Sequence, residues 1–89
     1  MTKNDLTIGM VVQVEDMTTK EISFAMVCET IYGKCISGKK IWFYFDALSD
    51  DLVNYDDDLM IIKVLSVSKS NQNAYKVDFI DREIVWNRM

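Results

Sequence analysis

The residues closest to forming a chemical constellation are carboxylates. Asp50 stands beside Asp51, Asp56, Asp57 and Asp58 follow in a row, and with Asp46 the segment 46–58 holds six Asp and no Lys or Arg. Adjacent carboxylates can share a proton or hold a cation. A calcium loop of the EF-hand kind, however, requires Gly at its sixth position and Glu at its twelfth. In DALSDDLVNYDD those places are taken by Asp51 and Asp57. Acid–base and nucleophilic catalysis need a group that moves protons near neutral pH or an activated nucleophile. The chain has no His and no nucleophile motif around any Ser or Cys, so the expectation is a non-enzymatic protein with no catalytic residue, cofactor or metal. Cys28 and Cys35, the only cysteines, cannot complete a four-ligand zinc site without His. They read as reduced, small packing residues. GKCISGKK departs from phosphate-loop spacing, and its Lys34, Lys39 and Lys40 read as a solvated basic turn.

With chemistry set aside, the aspartates are a charged surface. Six carboxylates within 13 residues repel one another, and salt only partly screens them because the Debye length is about 8 Å at physiological ionic strength. A partner bearing Lys and Arg would relieve that repulsion; a solvated connection is the alternative reading. With 14 acidic against 10 basic side chains the net charge is −4. This argues against direct binding to nucleic acid, which rests on cations neutralising phosphates.

The elements that position these residues are strands. Eighty-nine residues, about half of them apolar and spread along the whole chain, make one domain, residues 1–89, since so short a chain cannot sustain two cores. Alternation places Ile8, Met10, Val12 and Val14 on one face of a first strand, and Ile22, Phe24, Met26 and Cys28 on one face of a second. Further strands are expected near 34–37, 40–45 and 59–67, the last apolar on both faces and so central. Tyr75, Val77 and Phe79 alternate, and EIVWNR closes the chain as a final strand. The acidic segment suits one short helical turn, with Asp46 as its cap and Ala47, Leu48, Leu52 and Val53 at helical spacing. The fold class is therefore mainly β, a small SH3-like or OB-like barrel of five to six short strands with one helical turn. In IWFYF, Ile41, Phe43 and Phe45 face the core, while Trp42 and Tyr44 either pack against Trp86 or Tyr75 or form an exposed patch. No apolar run reaches the roughly 18 residues of a membrane span, and MTKNDLTIGM lacks a signal-peptide core, so a cytoplasmic protein is expected.

Four short motifs occur in order: Leu6 followed by Gly9, Met10, Val11 and Val12; Tyr55, Asp57, Asp58 and Leu59; Ile61, Lys63 and Val64; and Val85, Trp86, Asn87 and Arg88. In this order they resemble a family of small proteins from bacteriophages, prophages and related mobile elements of Gram-positive bacteria. These begin Leu-x-x-Gly-Met-Val-Val, carry Tyr-x-Asp-Asp-Leu in the middle and end Ile-Trp-x-Arg. The chain departs from the pattern where an Arg-x-Gly hairpin gives way to EDMTTKE. The resemblance implies a small β-rich domain of mobile-element origin in a bacterial host cell, and it supplies no active site.

Taken with the acidic strip, the resemblance leads to an expected function: inhibition of a basic host nucleic-acid enzyme, such as a CRISPR effector nuclease, by carboxylates placed where DNA phosphates would lie. The expected partner-binding residues are Asp50, Asp51, Asp56, Asp57 and Asp58, with Trp42 and Tyr44 as apolar anchors. The competing expectation is an assembly module that forms a homo-oligomer or docks through an aromatic sheet face.

Overall fold

The computed structural model describes residues 1–69 and 82–88. Seven strands form one antiparallel sheet: β1 (Val11–Asp16), β2 (Ile22–Thr30), β3 (Gly33–Gly38), β4 (Trp42–Tyr44), β5 (Val53–Asn54), β6 (Leu59–Leu65) and β7 (Ile84–Asn87). The strand order is β4-β3-β2-β1-β6-β5, and β7 pairs with another part of β6. No pairing joins the two ends of this order among the described residues, so the sheet is open as described. The mainly β expectation holds. The count differs by the two-residue β5, too short to leave an alternation signal. The alternating segment at Tyr75, Val77 and Phe79 lies outside the described residues.

β6 is central, as its two apolar faces required. It pairs with β1 along nearly its whole length, with β5 at Leu59 and Met60, and with β7 from Lys63 to Leu65. Two register shifts bend it. Gln13 pairs with Lys63 and Val14 with Ile61, which leaves Ile62 as an extra residue; Val64 pairs with Trp86 and Leu65 with Ile84, which leaves Val85. Bulges of this kind increase local twist and curl a sheet.

One face of the sheet carries the main core. Val12 and Val14 of β1, Ala25 and Val27 of β2, Ile36 of β3, Phe43 of β4 and Ile61 and Val64 of β6 pack there, closed over by Leu6, Leu48 and Leu52 from the connections. The opposite face carries a smaller buried cluster of Val11, Met26 and Leu65, with Phe24 and Cys28 against it. The alternation that groups Phe24, Met26 and Cys28 thus marks the lesser face. The main core takes Ala25 and Val27 instead, paired in register with the core residues Val12 of β1 and Ile36 of β3 respectively. Ile8 is exposed rather than aligned with Met10; Gly9, at φ +97°, turns the chain just before β1 begins.

The helical turn is smaller than its sequence suggests. A 3-10 turn spans Phe45–Ala47 with Tyr44 at its N-cap, so Asp46 lies inside the turn and caps nothing. A second 3-10 turn, Lys3–Asp5, precedes β1. Leu48, Leu52 and Val53 are all buried, but through a looped path rather than one face of a helix.

A methyl group added at Gly38 would lie 2.6 Å from the Phe24 carbonyl oxygen and 3.0 Å from Ala25 Cβ. Backbone oxygen cannot swing aside as a flexible side chain does, so Gly38→Ala should destabilise the fold by about 1–3 kcal/mol. Urea denaturation of the two proteins checks this through a lower midpoint at an unchanged slope.

Candidate functional site

The five candidate aspartates sit on two turns that flank β5. In the first, the apolar residues face inward and the charges outward: Leu48 and Leu52 are buried while Asp50 and Asp51 are exposed. Ser49 closes this turn. Its backbone N–H donates to the Val53 carbonyl at 2.9 Å, its Oγ accepts from Val53 N–H at 3.3 Å, and its carbonyl accepts from Leu52 N–H at 3.0 Å. Leu52 adopts a left-handed conformation, φ +66°, unusual for a bulky residue. Burial of its side chain and the bond from Ile61 N–H to its carbonyl, 3.0 Å, keep it there.

Arg88 secures the same turn from the far end of the chain. Its Nη2 donates to the Asp51 carbonyl at 2.5 Å and reaches that of Leu52 at 3.5 Å, while Nε donates to the Ile61 carbonyl at 2.9 Å. Its backbone N–H takes the carbonyl of the bulged Ile62, and its guanidinium lies 5.0 Å over the Trp86 ring. The cation is bonded to main-chain oxygens and lies over an aromatic face, and among the described residues it forms no ion pair with the aspartate side chains.

Asp51 is held by its neighbours' hydroxyls. Ser49 Oγ donates to Oδ1, and Tyr55 OH donates to Oδ2 at 2.6 Å. The Ser49 bond first, then the Tyr55 bond, with a smaller contribution from the Arg88 charge, hold this carboxyl below the usual carboxylate range. The same bond raises the Tyr55 phenol, since its proton is shared with a carboxylate.

The second turn, residues 55–58, reverses the chain between β5 and β6. Asn54 is fully buried and builds it: Nδ2 donates to Asp57 Oδ2 and Oδ1 accepts from Asp57 N–H, both at 3.1 Å. This local bonding is what favours Asn at the start of turns. Asp58 takes a left-handed φ of +55°, and its carbonyl accepts from Met17 N–H at 2.8 Å, which joins this turn to the one between β1 and β2. Across that junction Thr18 Oγ1 contacts Asp58 Oδ2 at 3.5 Å, and Asp16 Oδ1 accepts from the N–H groups of Thr18 and Thr19. Asp16 therefore stands with the acidic set, a position that sequence reading missed. Asp followed by two Thr in a turn was the available signal.

Both ion pairs among the described residues lie elsewhere: Lys40 with Glu21 at 2.5 Å and Lys69 with Glu83 at 2.6 Å. Lys34 donates to the Leu6 carbonyl and lies 5.8 Å over the Phe45 ring, and Lys3 donates to the Leu48 carbonyl. The basic hairpin is thus partly tied down rather than uniformly solvated. Among the described residues no group of three or more His, Cys, Asp and Glu is arranged to hold a metal ion.

Trp42 and Tyr44 are on β4, at the opposite end of the strand order from β5. They pack edge to face on each other, ring centroids 4.6 Å apart, and Thr30 Oγ1 reaches Tyr44 OH at 3.5 Å. Trp42 is 50% exposed, and Trp86 packs into the main core. Half of Trp42 is open to solvent, and Tyr44 is partly buried. Tyr75 lies outside the described residues. Among the described residues no hydrogen bond or ring contact joins the aromatic pair to the five aspartates. The chain matches no protein-family model, no curated protein and no solved structure.

Tyr55→Phe removes one of the two hydroxyl donors on Asp51, so the Asp51 carboxyl should titrate at higher pH in the variant, read by NMR of its carboxyl carbon. The sign follows from the depressed folded-state pKa. Whatever stability Asp51 ionisation contributes is present above the unfolded value and is lost as pH falls through the folded one. The variant should lose less stability over that acid range. Arg88→Met removes the guanidinium bonds to the Asp51 and Ile61 carbonyls and the longer one to Leu52, and should cost about 1–3 kcal/mol. Hydrogen exchange of the amides from 49 to 54 should rise in that variant.

Proposed function

We propose that this chain is a non-enzymatic binding protein of mobile-element origin that occupies the basic, phosphate-binding groove of a host nucleic-acid enzyme, a nuclease of the CRISPR-effector kind. The observation that carries this reading is the state of Asp50, Asp51, Asp56, Asp57 and Asp58. All five are exposed and none is in an ion pair among the described residues. The turns that bear them are held by Ser49, Asn54 and Arg88. Charges on a preorganised turn lose little freedom on binding, which favours association with a cationic groove. The ordered motifs support the mobile-element origin, and their residues do structural tasks: Leu6 is buried in the core, Gly9 makes the left-handed turn, and Arg88 clamps the acidic turn.

The proposed architecture is a sheet curled into a small SH3-like or OB-like barrel, with the acidic turns at one end. The two bulges, at Ile62 of β6 and Val85 of its partner β7, support that curl. The proposed location is the host cytoplasm, where such a nuclease acts. Among the described residues no helix is long and apolar enough to cross a membrane.

One observation favours a second reading, assembly through the aromatic face: Trp42 is half-exposed on β4, the end strand of the order, where backbone groups on one side have no strand partner among the described residues.

Replacing Asp56, Asp57 and Asp58 together by Asn separates the two. In the docking reading, affinity for a basic nuclease captured from host extract should fall by about tenfold or more and lose much of its salt dependence, measured by titration at two ionic strengths. In the assembly reading the same triple variant keeps its oligomeric state, and Trp42→Ala shifts it toward monomer in light scattering. Unchanged nuclease affinity in the triple variant would sink the docking reading.

A further inference from the structure

Cys28 of β2 and Cys35 of β3 are directly opposite each other in the antiparallel register, and both are free thiols. Directly paired residues project to the same face of a sheet. Their Cα atoms are about 4.5–5.5 Å apart whichever kind of pair they form, which lies inside the 4.4–6.8 Å span that a disulfide bridges. The two thiols differ in access. Cys35 is 1% exposed, and its thiol is pushed up by burial and then by the neighbouring Cys28; Cys28 is only partly buried.

We propose that this pair is a reversible oxidation site that staples the β2–β3 hairpin. Hydrogen peroxide or an equivalent peroxide is the oxidant. The accessible Cys28 sulfur attacks one peroxide oxygen, the O–O bond breaks, and Cys28 sulfenic acid and one water form. The Cys35 sulfur then attacks the Cys28 sulfur, the S–O bond breaks, and a second water leaves with the Cys35 proton. Two S–H groups are lost, one S–S bond is gained, and peroxide is reduced to two waters. A small dithiol reverses the step by exchange.

The staple acts on the most exposed large apolar side chains among the described residues. Two register pairs beyond the cysteines, Thr30 opposite Gly33 closes the hairpin, and between them Ile31 and Tyr32 are 91% and 80% exposed. In the reduced chain the tip is held by Thr30, whose Oγ1 accepts from Tyr32 N–H at 3.1 Å and donates toward the Gly33 carbonyl at 3.4 Å, and by Gly33 at φ +122°. Tyr44 pairs with Cys35 on its other side, so the bond also stiffens the support of the aromatic pair. This site is separate from the acidic turns and stands whether or not they dock on a nuclease.

The test is treatment of the reduced full-length protein with stoichiometric hydrogen peroxide, followed by intact mass and peptide mapping. The expected result is a monomer lighter by two hydrogens, a peptide linking Cys28 to Cys35, and full return of both thiols with dithiothreitol. Hydrogen exchange at residues 29–34 should slow by about tenfold in the oxidised form. Cys28→Ser, at the partly exposed position, should stay folded and lose both the mass change and the slowing. Cys28 carried on to sulfinic acid, a dimer linked between chains, or two thiols that stay free would each overturn the proposal.

Discussion

The structure depends on one ladder: β1, from near the start of the chain, paired with β6, more than forty residues later. β6 is largely apolar on both faces, and β1 adds Val12 and Val14 on one and Val11 on the other, so their pairing begins two buried surfaces at once. Val12, Val14, Ile61 and Val64 begin the main core, and Val11 with Leu65 begins the smaller cluster on the other side. β2, β3 and β4 extend the sheet beyond β1, and β5 and β7 share the remaining edge of β6. A chain of this size has little surplus stability, and this ladder supplies residues to both of its buried clusters.

That ladder sets the terms for the acidic segment. The chain must leave β4, cross to the far side of β6 and enter it from the β5 side, all within residues 45–58. Leu48 and Leu52 anchor the crossing in the core, and the polar residues between them are thereby driven outward. The clamp is then made by neutral acceptors. Arg88 binds carbonyls of Asp51, Leu52 and Ile61, and Asn54 binds Asp57 through both ends of its amide. A cation bonded to main-chain oxygens organises a turn without forming an ion pair with the carboxylates on it. This is how an ordered turn and exposed carboxylates outside any ion pair coexist among the described residues.

The opposite end of the strand order has a different character. Its exposed groups are apolar and aromatic: Trp42 against Tyr44, with Ile31 and Tyr32 at the hairpin tip. Thr30 ties the two together by touching both the tip backbone and the Tyr44 hydroxyl. An acidic end and an aromatic end on one small sheet are two separate surfaces, each with its own local means of support.

Much of this was legible in the residues themselves, because strand alternation and turn chemistry are local. β1, β2, β3 and β6, the buried Phe43 and the outward acidic segment all follow from side-chain period and composition. Which face of β2 carries the main core does not, since both faces carry apolar residues; Ala25 and Val27 join it through the register that pairs Ala25 with Val12 and Val27 with Ile36. Nor does β5, two residues long, whose existence depends on an edge of β6 left open by β7. The contacts of Arg88 with a turn some 36 residues away, and of Asp58 with the β1–β2 turn, join segments that sequence distance cannot relate. Residue type by itself determined that the aspartates would face water. Only the tertiary structure decided what holds their backbone, because the partners of those carbonyls and amides are brought near solely by the pairing of distant strands.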